Sequence, residues 1–150
     1  MHACIASGAA FLICVLWFDL MFDVQTRKHG GAELPPEVLA SISAYYRRVT
    51  IEAYPMNRLI AFVMILTVLA IVTEIVRDLD RWWIGWVSLA AAVSAIGLAR
   101  MRTIPNAARL GRAKGSVEAQ TALARAIYRD HLYCLGAIAV VLVLQLTAAL

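Results

Sequence analysis

No lysine or arginine precedes Arg27, and residues 3–23, 58–77, 82–100 and 131–149 are apolar along most of their length. Each stretch is close to the ~20 residues that an α-helix needs to cross a ~30 Å hydrocarbon core. A chain with four such stretches has few folds open to it. Inside a bilayer every backbone N–H and C=O must find a partner within the segment, which a helix provides and an open sheet does not. The alternation of polar and apolar residues that marks a barrel strand is missing. The expectation is an all-α protein: an integral membrane four-helix bundle forming one domain over residues 1–150. Its 62% hydrophobic content agrees, since ordinary soluble domains lie at about 45–50%.

The amino-terminal stretch lacks the basic start of a secretory signal, and Arg27–Lys28 follow it instead, the order expected of a retained first span. Arg27, Lys28, Arg47, Arg48 and Arg58 lie in or beside the connection between spans one and two. Arg100, Arg102, Arg109, Arg112, Lys114, Arg125 and Arg129 lie between spans three and four. Together they make twelve of the fourteen basic residues. The connection between spans two and three holds Arg77 and Arg81, offset by Asp78 and Asp80. By the positive-inside rule, loops 24–57 and 101–130 are cytoplasmic and both termini are outside. The expected location is a bacterial-type inner membrane. The net charge of +4 then reports topology, and a nucleic-acid partner is excluded. The expected partners are the lipid bilayer and other membrane proteins or a second copy of the chain.

Both basic loops carry helical patterns. Pro35–Pro36 and Glu37 open a segment with Val38, Leu39, Ile42, Tyr45, Tyr46, Val49 and Ala53 at helical spacing. It suits an amphipathic helix at the membrane surface or an extension leading to span two. Pro55 is expected to break or kink the chain before that span. In the second loop, Ile104-Pro105-Asn106 should end span three, Gly111 and Gly115 should turn the chain, and Ser116 should cap a helix running into span four. Ser88, Ala91, Ala92, Ala95 and Gly97, with Gly136 and Ala139, offer small-residue packing surfaces. Trp82, Trp83 and Trp86 suit an interfacial belt. Cys4, Cys14 and Cys134 form no regular spacing and are expected to be buried, inert thiols. Glu74 and Gln145 are expected at the interface.

One level of the bundle gathers polar groups from every span. Asp19 and Asp23 share a helix face by their spacing of four. Asn57 and Arg58 open span two, Arg102 and Asn106 follow span three, and Arg129, Asp130 and His131 open span four. A carboxylate at the depth of Asp19 costs about 2.5–3.5 kcal/mol on insertion scales, so it should pair with Arg58, Arg102 or Arg129. These residues either cap helix ends or line a polar pocket at the bundle mouth. His131 is the natural proton-transfer group of such a pocket, with Asn106 and Arg102 or Arg109 holding a developing oxyanion. Asp19, Asp23 and His131 have the composition of a facial triad for iron. The Glu-x-x-His repeat of di-iron bundles is absent, and no metal or other cofactor is expected.

Ile104-Pro105-Asn106-Ala-Ala-Arg109-Leu110, followed by Tyr128-Arg129-Asp130-His131 at the start of span four, resembles a small four-span membrane family. That family includes the fungal anthrone oxygenases. The likeness lies mainly in residues 100–140. It implies cofactor-free oxygenation of a phenolic, anthrone-like substrate, with Asn106, Arg109 and His131 as the carried-over polar residues. The other reading of a small bundle without a recognisable catalytic motif is an accessory or scaffold membrane subunit. A channel would need polar residues along the span cores, and residues 60–72 and 90–96 offer only Thr67 and Ser94.

Overall fold

A computed structural model describes residues 1–52, 54–77 and 82–149, with the backbone alone at 54–56. The described residues are 91% helical. Helix α1 spans His2–Asp23 and ends in a 3₁₀ turn, Val24–Lys28. Helix α2 spans Pro36–Arg47, with Pro36 in its first turn and Glu37 beside the positive helix end. A π-helical segment, Arg48–Glu52, follows it, and α3 spans Tyr54–Arg77. Helix α4 spans Trp82–Leu98, α5 spans Ile104–Gly111 and α6 spans Val117–Ala149. Among the described residues, four helical stretches, His2–Lys28, Asn57–Arg77, Trp82–Gly111 and Val117–Ala149, are long and apolar enough to cross a membrane.

Arg81, Asp78 and Asp80 of the connection between the second and third long helices lie outside the described residues, as does Ala53 of the amphipathic stripe. Pro55 falls in the first turn of α3, where a missing backbone N–H costs little. Pro105 does not break the third long helix as expected. The backbone widens to a π-helical turn over Ala99–Thr103 and runs on into α5, with Pro105 in its first turn. The wider turn takes up the lost i→i−4 bond. Ser116 acts as foreseen: its Oγ accepts the N–H of Ala119 at 3.2 Å, and Gly115 turns the chain at φ +103°.

The four long helices share an apolar core of Ile5, Ala9, Leu12, Ile71, Ala92, Ala95, Cys134, Ile138 and Val141. Ser88, Ala92 and Ala95 of α4 are buried. Gly136, by contrast, has open space around its Cβ position and lines a surface groove with Ala139. Cys4 and Cys14 are exposed and only Cys134 is buried, because their helix faces point away from the bundle axis.

A second core forms across one end of the bundle. Leu34, Val38, Leu39, Ile42 and Tyr46 pack against Ala107 and Leu110 of α5 and Ala124 and Ile127 of α6. Two contacts from α6 fix the loop that enters α2: Thr121 Oγ1 accepts the N–H of Leu34 at 3.0 Å, and Arg125 donates to the carbonyl of His29 at 3.0 Å. Gly111 sets how closely α5 approaches α2. A Cβ there would lie 2.7 Å from the backbone nitrogen of Arg47 and 2.9 Å from the carbonyl carbon of Tyr46. The α2 and α5 layer therefore carries Tyr45 and Tyr46 against the ends of α1 and α6.

Candidate acid–base site

Asp19 and Asp23, one turn apart near the end of α1, face His131 of α6 on opposite edges of its ring. Oδ2 of Asp23 lies 2.7 Å from Nδ1, and Oδ2 of Asp19 lies 3.8 Å from Nε2. Each carboxylate also accepts a phenol from α2. Tyr46 donates to Oδ1 of Asp23 and Tyr45 to Oδ1 of Asp19, both at 2.6 Å. Phe22 stacks on Tyr45 with ring centroids 4.0 Å apart. Asp23 is wholly buried, His131 is 7% exposed, and Asp19 is the most accessible acidic member.

The phenols sit outside the long apolar helices, and both are held above the ordinary tyrosine value. Burial is the larger cause for each; the carboxylate of Asp19 follows for Tyr45, and that of Asp23 for Tyr46. Both therefore stay protonated and serve as donors to the carboxylates.

The arginine partner expected for Asp19 is replaced by His131 and Tyr45. Arg102 turns instead to Asp130, with Nε 3.3 Å from Oδ2, and Thr103 donates to the same oxygen at 3.4 Å. Adjacent residues on a helix point about 100° apart, so Asp130 and His131 serve different clusters. Asn57, Arg58, Arg109 and Arg129 are exposed and Asn106 is half-buried. Among the described residues no hydrogen bond or ion pair joins Asn106 or Arg109 to His131. The sequence reading missed Tyr45 and Tyr46 as polar partners. Their places in an apolar stripe concealed the hydroxyls, although two adjacent tyrosines allow one ring into the core and one at its edge.

With its two carboxylates on different ring nitrogens, the histidine can offer only one of them to any single ion. Among the described residues no group of three His, Cys, Asp or Glu side chains is arranged to hold a metal. What the arrangement can do is move a proton. When Nδ1 carries its proton toward Asp23, Nε2 is the nitrogen left facing Asp19, the more accessible carboxylate. No protein-family model, curated protein or solved structure matches the chain.

Proposed function

We propose that this chain is a four-span integral membrane protein with a proton-accepting site at the cytoplasmic end of its bundle. Its outward face supports the membrane reading. Phe62, Ile65, Leu66, Leu69 and Val76 of α3 are exposed, and only 22% of the most apolar stretch of that helix is buried. Soluble monomers rarely expose a continuous apolar patch above a few hundred Å². Trp82, Trp83 and Trp86 are all exposed at one end of α4, as an interfacial belt requires. The basic residues favour loops 24–57 and 101–130 in the cytoplasm and the termini outside.

The observation that carries the site is the Asp23–His131 contact with Nε2 turned toward Asp19. Ionisable groups at this depth are expensive and are by default functional. Nε2 takes a proton from a lipophilic substrate, and Asp23 stabilises the imidazolium that forms. On the resemblance in residues 100–140, the substrate class is a phenolic, anthrone-like compound. Its anion then meets O₂ without a resident cofactor, and Asn106 and Arg109 of α5 are the further residues of that reading. The test is anthrone oxidation in nanodiscs. The wild-type protein should accelerate it, and His131→Gln should lower the rate by about 100-fold or more. No acceleration by the wild-type protein would discard the enzymatic reading.

The closure of the site favours a second reading. Asp23 has no exposed surface, and neither Asp19, Asp23 nor His131 lines the groove of about 520 Å³ formed by Ser94, Gly97, Leu98, Met101, Arg102 and Tyr133. In that case the cluster pins α1, α2 and α6 together in an accessory or scaffold subunit. Recovery of a stoichiometric membrane partner, with no anthrone turnover, is the result that would select it.

A further inference from the structure

We infer that a second buried cluster, at the opposite end of the bundle, is a binding site for one monovalent cation, either a proton or Na⁺. Each of the four long helices supplies one polar side chain to it: His2 from α1, Glu74 from α3, Ser88 from α4 and Gln145 from α6. Ser88 and Gln145 are wholly buried and Glu74 is 4% exposed. Glu74 and Gln145 were expected at the interface, and they turn inward instead.

The cluster leaves one carboxylate oxygen without a partner among the described residues. Gln145 Nε2 donates to Glu74 Oε1 at 3.3 Å and to Ser88 Oγ at 3.2 Å. His2 Nδ1 lies 2.8 Å from Gln145 Oε1 and 3.4 Å from Glu74 Oε1. The histidine thus reaches the amide and one carboxylate oxygen. The other, Glu74 Oε2, is buried with no hydrogen-bond partner among the described residues. A carboxylate held this way needs either a proton or an ion.

The donor chemistry defines the ion. Glu74 Oε2, Ser88 Oγ and, after a half-turn of its amide, Gln145 Oε1 are hard oxygens. One carboxylate neutralises one monovalent charge, whereas Ca²⁺ sites draw on several. Of the groups packed on Glu74, His2 is the titratable one from α1, and α4 and α6 contribute uncharged Ser88 and Gln145. Beyond this end of α3, residues 78–81 lie outside the described residues. The apolar core from Ile5 to Cys134 separates the cluster from Asp19, Asp23 and His131. Its occupant therefore enters from the end that carries the termini.

The experiment is thermal melting of the full chain in detergent, with NaCl exchanged for choline chloride at constant ionic strength, over a series of pH values. Na⁺ should raise the midpoint. The Na⁺ concentration giving half the rise should grow about tenfold for each unit by which the pH is lowered, over the range where protons compete. Glu74→Gln keeps the shape, removes the charge and should abolish the response. Ser88→Ala keeps the charge and should demand several-fold more Na⁺, which covers the case of a Glu74→Gln protein that does not fold. A response to pH alone, lost in Glu74→Gln, assigns the site to a proton. Identical Na⁺ and pH responses in the wild-type and Glu74→Gln proteins would overturn the inference. So would a response lost in His2→Gln but kept in Glu74→Gln, because the charge would then reside on the histidine.

Discussion

Nδ1 of His131 lies 2.7 Å from Oδ2 of Asp23, a contact that joins the start of the last apolar stretch to the end of the first across 108 residues. The other carboxylate oxygen takes the hydroxyl of Tyr46. One buried carboxylate thereby fastens α1, α2 and α6 at a single point. The proposed proton acceptor and this structural clasp share the His131 ring, so stability and activity must be measured separately.

Removing that carboxylate should be costly. Asp23→Ala strands the imidazole and the Tyr46 hydroxyl, and breaking a buried pair from one side typically costs about 3–5 kcal/mol. Arg109→Ala, at an exposed position, should stay within about 0.5 kcal/mol of the wild type. Denaturant melts in detergent compare the two. Equal midpoints would mean that Asp23 is solvated and that the clasp does not exist.

Gly111→Ala tests the α5–α2 contact. Its new methyl would meet the backbone of Arg47 and Tyr46, which cannot rotate away as a side chain could. Overpacking of this kind costs about 1–3 kcal/mol, and it should loosen Tyr46 from Asp23. Gly97→Ala meets nothing within 4 Å and, in mid-helix, should be neutral or slightly stabilising. A melting series in which Gly97→Ala falls further than Gly111→Ala would refute this account of the packing.

Much of this was legible in the sequence. The four apolar stretches, the Pro36 start of α2 and the Ser116 cap follow from local rules. Asp19 and Asp23 announce a shared face by their spacing, and His131 stands at the same level. What was not legible depends on the direction of side chains in three dimensions. Arg102 and Arg129 looked equally able to reach Asp19, but Arg102 meets Asp130 and Arg129 is exposed. Glu74 and Gln145 each lie near the end of an apolar stretch, where an interfacial position is the simplest inference. Only the crossing of four helices reveals that both point inward with Ser88 and His2.

Alkaline pH should expose the role of the tyrosines. Burial and the neighbouring carboxylates hold the phenols of Tyr45 and Tyr46 above their ordinary value. Their contribution to stability is complete below about pH 10, where the unfolded chain also keeps these protons. Above that pH the unfolded chain releases protons that the folded chain retains, so stability should fall as pH rises. Tyr46→Phe should flatten this alkaline fall and cost about 1–3 kcal/mol at neutral pH, because it leaves a buried carboxylate oxygen without its donor. Melting midpoints and tyrosinate absorbance, followed together from neutral to alkaline pH, measure both effects. An alkaline slope unchanged in Tyr46→Phe would place the titration elsewhere.

The length of α6 sharpens the topology test. Its 33 residues extend for about 50 Å at 1.5 Å per residue, against a hydrocarbon core of about 30 Å. The excess is its first part, where Thr121, Ala124 and Ile127 are buried beside Leu34 and α2. The apolar remainder begins near His131. If the basic connections are cytoplasmic, a reporter inserted after Lys114 should be active only in its cytoplasmic form. One fused at the carboxyl terminus should be active only in its external form. Replacing Arg109, Arg112 and Lys114 with glutamine should weaken the asymmetry, because these exposed residues are available to retain that loop. Reporters that place Lys114 and the carboxyl terminus on one side would show that α6 does not span, and the cluster of Asp19, Asp23 and His131 would then lose its proposed membrane setting.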